Sequence, residues 1–276
     1  MPNGTSDIFY FKYIAGMHII KKVDAEMRKK LEPFFSNAHR VDFGIDSILE
    51  GQSGKQISVV VDNRESPGVV LLRYGTFGIL AGDASHPAAG ALLQSIELPC
   101  AIQPSPDAWM NLLQAKYSGH IKSIERFSFS HQQIDLPGLK EIIANHPQGS
   151  AVQQIDSILA SNMENQDWNK YHLLNYNSPE DFARHGFAYA IIINGVVASA
   201  CSAALRCSRG IELNIITLPE FRSQGLASVV AAYTIIKAME QNLIPHWDAA
   251  NERSAKLAMR LGYKPAGSYH THYISV

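Results

Sequence analysis

The chain has 276 residues, 46% hydrophobic and 18% charged, with a formal net charge of −1. Such a composition fits one large or two smaller globular units with a sizeable core, and the lack of basic excess excludes a general nucleic-acid footprint, so any polyanion needs a local site. Three cysteines, Cys100, Cys201 and Cys207, form no CxxC pair, which argues against a disulfide framework or a zinc site and fits a reducing cytoplasm.

In chain order, the opening "MPNGTSDIFYFKYIAG" lacks the basic start, apolar core and cleavage site of a secretory leader. Ile20, Val23, Met27, Leu31 and Phe34 recur at helical spacing and predict a helix from about Met17 to Phe35. "ISVVVD" (57–62), "GVVLLRYG" (68–75) and "TFGILAG" (76–82) predict strands. "SPDAWMNLLQAKY" predicts a helix with Ser105 as N-cap and Pro106 at its first position. "IERFSFSH" alternates phenylalanine with serine, as a strand does. Pro137, Gly138, Pro147 and Gly149 mark a boundary region. We place an N-terminal α/β domain at 1–135 and a second domain at 136–276.

In the second half, "AVQQI" predicts a strand and "DSILASNM" a short helix. "SPEDFARHG" reads as a capped helix with Ser178 as N-cap and Pro179 at N1. The most membrane-like stretch, 188–205, is interrupted by Asn194-Gly195, a hairpin dipeptide, so it reads as two buried strands rather than a span. Cys201 and Cys207 sit in or just after this hairpin and read as small apolar core residues. A strand, 211–218, then meets "EFRSQGLA" and a long helix whose inward positions are Leu226, Val229, Val230, Tyr233, Ile236 and Met239. "LIPHWDA" predicts a strand, a helix follows from Asn251 to Gly262, and "YKPAGSYHTHYI" returns to a sheet.

The turn between strand and long helix carries the chemistry. The first amides of a helix lack intrahelical partners and lie at the positive end of the dipole, so they suit a diphosphate. Gly225 would admit the phosphate without a Cβ, Ala227 keeps the first turn narrow, and Arg222 adds a cation. Taken alone, RxxGxA is also an ordinary polar turn. The sequence contains no GxxxxGK[ST] phosphate loop, and the turn is not a GxGxxG fingerprint.

The order of strand, "EFRSQGLA", buried helix, strand, Asn251 and "LGY" (261–263) resembles motifs A and B of the GNAT superfamily of acetyl-CoA-dependent N-acetyltransferases. Arg222, Gly225 and Ala227 match its [QR]xxGx[GA] signature. Over longer stretches, "GLASVVAAYTIIKAMEQNLIPHWDAANERSAKLAMRLGY", "SPEDFARHGFAYAI" and "HPQGSAVQQID", the chain is similar to the bacterial zwittermicin A resistance-type GNAT subfamily. The resemblance implies an α/β (α+β) fold, with a mixed, mostly antiparallel sheet flanked by helices. It also implies that residues 1–135, where the match is weaker, are a degenerate GNAT-like domain without motif A.

Site roles follow from the same resemblance. The backbone of Ile215, Ile216 and Thr217 would run beside the pantetheine arm of acetyl-CoA. The amides of Arg222, Ser223, Gln224, Gly225, Leu226, Ala227 and Ser228 would hold the pyrophosphate. Asn251 would touch the cofactor or serve as an N-cap. An amine must lose a proton to attack a thioester, so a base is useful. The candidates are Glu212, at the start of the cofactor strand, and His246 on the next strand. Asp248 could orient His246 or cap the following turn. Where many GNAT enzymes carry a tyrosine to protonate the thiolate, this chain has Ala258; Tyr233, Tyr263 and Tyr269 are substitutes or packing residues. The expected activity is transfer of acetyl from acetyl-CoA to a small-molecule amine by direct attack, with resistance to an amino-containing antibiotic as one role, in the cytoplasm and with no metal, nucleic-acid or membrane partner. A non-catalytic CoA-binding protein and a protein N-acetyltransferase are the alternatives.

Overall fold

The structure is a computed structural model and describes residues 16–35, 43–105 and 108–275. In chain order its elements are β1 (His18–Ile20), α1 (Ala25–Leu31), α2 (Phe43–Leu49), β2 (Ile57–Val61), β3 (Val69–Tyr74), β4 (Phe77–Gly82), α3 (Ala89–Gln94), β5 (Cys100–Ser105), α4 (Trp109–Lys116), β6 (Ile121–Ser130) and α5 (Leu136–Ala144). The second half holds β7 (Val152–Gln154), α6 (Ser157–Glu164), α7 (Pro179–His185), β8 (Tyr189–Ile193), β9 (Val196–Arg206), β10 (Gly210–Thr217), α8 (Leu226–Glu240), β11 (Ile244–His246), β12 (Asp248–Ala249), α9 (Glu252–Arg260) and β13 (Lys264–Ile274).

These strands form two sheets. One has the order β1-β2-β3-β4-β5-β13-β6-β12 and the other β11-β10-β9-β8-β7. Only β4–β5 and β10–β11 pair in parallel; the remaining pairs are antiparallel. The fold is therefore mixed α/β with mostly antiparallel sheets and flanking helices, as the sequence predicts. The first sheet is not built from the first half alone. β13 lies between β5 and β6, and β12 pairs with β6, so the chain's last strands complete it. Its crossing point is Trp247, between His246 on one sheet and Asp248 on the other.

Two predicted elements differ. The helix expected over 17–35 is a strand followed by a shorter helix. His18–Ile20 pair with Val59–Val61, so sheet hydrogen bonds claim this segment, and Asp24 then caps α1 by accepting from Met27 N–H at 2.8 Å. Ile20 and Met27 share burial without sharing a helix. Similarly, β5 runs through Ser105, and α4 begins at Trp109 with Ala108 at its N-cap rather than Ser105; Pro106 lies outside the described residues.

Local signals elsewhere act as read. Asn194 and Gly195 both take positive φ, 52° and 77°, in the β8–β9 hairpin. Ser178 caps α7 by accepting from Asp181 N–H at 3.1 Å. All three cysteines are buried and reduced; burial pushes the Cys100 and Cys201 thiols up to about 11 and about 12. The α8 helix is apolar around most of its girth because it packs on β8–β10 on one side and on α5 and α9 on others. It fixes the turn at its N-terminus as one end of a rigid rod. Among the described residues no helix is long and apolar enough to cross a membrane.

Candidate active site and cofactor cleft

β10 has two neighbours of unequal length. On one edge β9 accompanies it from Ile211 to Thr217; on the other, β11 pairs only with Gly210, Ile211 and Glu212. A register irregularity in the β9 ladder falls between Glu212 and Leu213, the kind of local bend that terminates pairing and re-aims side chains. Past Glu212 the β11-side edge of β10 therefore has no strand beside it among the described residues. The backbone groups on that edge from Leu213 to Ile216 are available to an extended ligand, by the chemistry that adds a strand to a sheet edge, while Thr217 O already accepts from Arg222.

The turn that follows is shaped by two left-handed residues, Ser223 at φ 63° and Gly225 at φ 80°. Gly225 stands at the N-cap of α8. The helix's own hydrogen bonding begins with Ser228 and Val229 N–H on Gly225 O, at 3.0 and 3.3 Å. Arg222 N–H is bonded to Pro219 O at 3.3 Å. Of the seven amides predicted to hold a pyrophosphate, the chain itself thus uses those of Arg222 and Ser228, leaving the run from Ser223 to Ala227. His146 supports the turn from outside. Its Nδ1 accepts from Gln148 N–H at 3.1 Å, so the ring proton is on Nε2, which donates to Gln224 O at 2.8 Å.

Ile215, Ile216, Thr217, Arg222, Ser223, Gly225, Leu226, Ala227 and Asn251 line one cleft of about 680 Å³. Gln224 turns its carbonyl to His146, and Ser228 is buried in the first turn of the helix. Arg222 donates from Nε to Thr217 O at 3.2 Å and lies 5.2 Å over the ring of Trp168. Asn251 is the N-cap of α9, accepting from Ser254 N–H at 3.0 Å, so the capping role is real while its side also lines the cleft. A Cβ at Gly225 would sit 3.1 Å from His146 Nε2. The free amides, the bare strand edge and a lining with cations but no carboxylate fit coenzyme A.

The second cavity, about 740 Å³, adjoins the first and shares Ile215, Trp247, Asn251 and Ser254 with it. Glu212 and His246 both face this chamber. They are opposite partners in the β10–β11 register, and His246 Nδ1–H donates to Glu212 Oε2 at 2.6 Å. The two base candidates are one hydrogen-bonded pair. Phe43 packs edge-on against the imidazole at 5.4 Å. His131 also lines the chamber; burial, and then the nearby His246, hold its imidazole below its usual value.

The opposite wall comes from the first sheet: Tyr74, Phe77, Gln103 and Arg126. Sequence reasoning missed Arg126. Its Nε donates to Asp248 Oδ1 at 2.6 Å while its guanidinium lies 5.1 Å over the Phe77 ring. Asp248 also accepts from the Tyr269 hydroxyl. Asp248 therefore neither orients His246 nor caps a turn. The available signal was the alternation of "IERFSFSH", which puts Arg126, Ser128 and Ser130 on one strand face; what covers that face is not local information.

The missing helix tyrosine has a structural explanation. Ala258 is fully buried in the core, and the residues of that helix that line the cofactor cleft are Arg253, Ser254, Lys256, Leu257 and Arg260. Of the three alternative tyrosines, Tyr263 is buried with its hydroxyl on Pro245 O at 2.7 Å, and Tyr233 packs on Tyr189 at 5.1 Å. Tyr269 alone of the three lines the chamber.

A bare strand edge thus leads into a run of unpaired amides, beside a carboxylate–imidazole pair. A family model described as GNAT acetyltransferase matches residues 34–272, and the chain belongs to that family. It is 29% identical over 171 residues to the uncharacterized N-acetyltransferase YdfB of Bacillus subtilis (strain 168). That match covers 61% of this chain and 64% of the relative, so it spans less than two thirds of the relative's length. Among solved structures, a GCN5-related N-acetyltransferase-like protein from Streptococcus suis 89/1591 has a TM-score of 0.79 at 27% identity, covering 91% of this chain and 99% of the other. A tandem GNAT protein from the clavulanic acid biosynthesis pathway shares the fold at TM-score 0.52 and 10% identity, over 93% of this chain and 97% of the other.

Proposed function

We propose that the protein transfers acetyl from acetyl-CoA to the amine of a small molecule by direct attack within a ternary complex. The observation that carries this reading is the Glu212–His246 pair, 2.6 Å apart, facing a chamber that meets the cofactor cleft at Ile215 and Trp247. The cofactor supplies an activated acyl thioester. The β10 edge at Ile215–Thr217 aligns its pantetheine arm, and the amides from Ser223 to Ala227 take its pyrophosphate. The acceptor enters from the chamber. Glu212 holds the imidazole of His246 with Nδ1 protonated, and the pair receives the proton that the amine loses as its nitrogen bonds to the acyl carbon. The C–S bond breaks and the thiol group leaves as thiolate; with an ordinary thiol pKa near ~8.5 it needs little help near neutral pH. Of Tyr233, Tyr263 and Tyr269, the tyrosine that lines the chamber is Tyr269.

The chamber suits a small cationic amine. Its acidic side chains are Glu212 and Asp248 and its guanidinium is that of Arg126, which is already bonded to Asp248. Residues 1–135 act as a GNAT-like unit without a cofactor motif, supplying the acceptor wall through Tyr74, Phe77, Gln103 and Arg126. The fold likeness to a tandem GNAT protein supports this two-unit reading. Inactivation of an amino-containing antibiotic in the cytoplasm, as in the zwittermicin A resistance-type subfamily, is the biological role that fits such a chamber.

Calorimetry with acetyl-CoA followed by thiol release across an amine panel tests the proposal. Micromolar binding and turnover with small cationic amines are expected. Binding with no turnover on any amine would instead make this a CoA-binding regulator. Acetylation confined to proteins, read by intact mass, would overturn the small-molecule acceptor.

A further inference from the structure

The cofactor cleft holds more positive charge than a diphosphate cradle calls for. Arg222, Arg253, Lys256 and Arg260 line it and no carboxylate does, in a chain with a formal net charge of −1. Three of these cations lie on α9 at positions i, i+3 and i+7, which places them along one helix face. The other side of α9 is committed to the core through Ala255 and Ala258. Like charges three and four residues apart destabilise a helix, and little in the protein offsets them. Arg253 and Arg260 make no ion pair among the described residues, and Lys256 reaches Glu252 only at 3.8 Å in an exposed pair. Arg222 is occupied differently, on Thr217 O and over Trp168. The pyrophosphate is already provided for by backbone amides.

We propose that Arg253, Lys256 and Arg260 form a separate subsite for a phosphomonoester, the 3′-phosphate of coenzyme A. The protein thereby selects free, 3′-phosphorylated CoA thioesters over acyl carriers that lack this group. This rests on coenzyme A being the donor. A phosphomonoester carries about −1.5 to −2 charge at neutral pH and three strong acceptor oxygens. Arginine forks bind such oxygens in pairs, and lysine adds a point charge. A phosphopantetheine attached to a carrier protein has no terminal phosphomonoester to fill the subsite. An acidic carrier surface is the rival partner for the same cations.

The test compares CoA with 3′-dephospho-CoA by calorimetry, on the full chain and on the triple variant Arg253→Gln/Lys256→Gln/Arg260→Gln. These side chains are exposed, so the variant should fold, which its melting curve checks. The unaltered protein should bind CoA about tenfold or more tightly than dephospho-CoA, and added salt should erode that preference. In the variant the preference should vanish while dephospho-CoA affinity stays unchanged. Equal affinity of the unaltered protein for both compounds, or equal weakening of both in the variant, would overturn the subsite. Turnover of an acetylated carrier protein as efficient as that of acetyl-CoA would overturn the selectivity. Failure to bind either compound would instead overturn the donor reading on which the subsite rests.

Discussion

Gly225→Ala is the sharpest probe of the cradle, because its cost can be worked from the turn itself. Gly225 sits at φ 80°, where an L side chain costs about 1 kcal/mol more than glycine. The new Cβ would lie 3.1 Å from Nε2 and 3.2 Å from Cδ2 of His146, so the imidazole must retreat. That nitrogen holds Gln224 O at 2.8 Å, and loosening such a bond costs about 1 kcal/mol. The expected destabilisation is therefore about 2 kcal/mol, or a fall in melting temperature of about 4–8 °C. The effect on ligand should exceed the effect on fold. A shifted turn misplaces at least one amide aimed at a charged phosphate, worth about 1.5–3 kcal/mol, so acetyl-CoA affinity should drop about tenfold or more. Calorimetry and a thermal melt on the same preparation read both quantities. Unchanged acetyl-CoA affinity, with or without the loss in melting temperature, would refute the assignment of this turn as the cradle.

Glu212→Gln should lower kcat and move the pH–rate profile, since His246 Nδ1–H would lose its charged acceptor at 2.6 Å; a profile that overlays the unaltered enzyme removes Glu212 from the proton path. His172 gives a test of acid stability. It is fully buried, its Nδ1 is 2.7 Å from Ser202 Oγ, and burial pushes its imidazole down to about 3. The folded pKa lies below the unfolded one, so the unfolded chain binds the extra proton. Stability should be intact above about pH 6.5 and fall towards pH 3 by up to about 1.4 kcal/mol per unit. His172→Gln should flatten that part of the slope in urea titrations at pH 7 and pH 5; an unchanged slope shows that other groups set it.

What the sequence determined by itself are the features written in adjacent residues. The Asn194-Gly195 hairpin, the Ser178 and Asn251 caps, the apolar girth of the Leu226–Glu240 helix and the glycine turn before it are all set by φ preferences, capping chemistry and periodicity within a few residues. Periodicity misled at Ile20 and Met27, where a strand and a helix in succession bury residues at the same spacing as one helix would. Tertiary structure alone decided what those pieces do together. Glu212 and His246, 34 positions apart, meet because two strands pair in parallel for three residues and then part. Arg126 and Asp248 meet across 122 positions because the chain changes sheets at Trp247 and its last strand enters the sheet of the first half. Such contacts depend on which sheet edges are left open once the cores have packed. No local preference encodes that choice; the burial of the whole chain makes it.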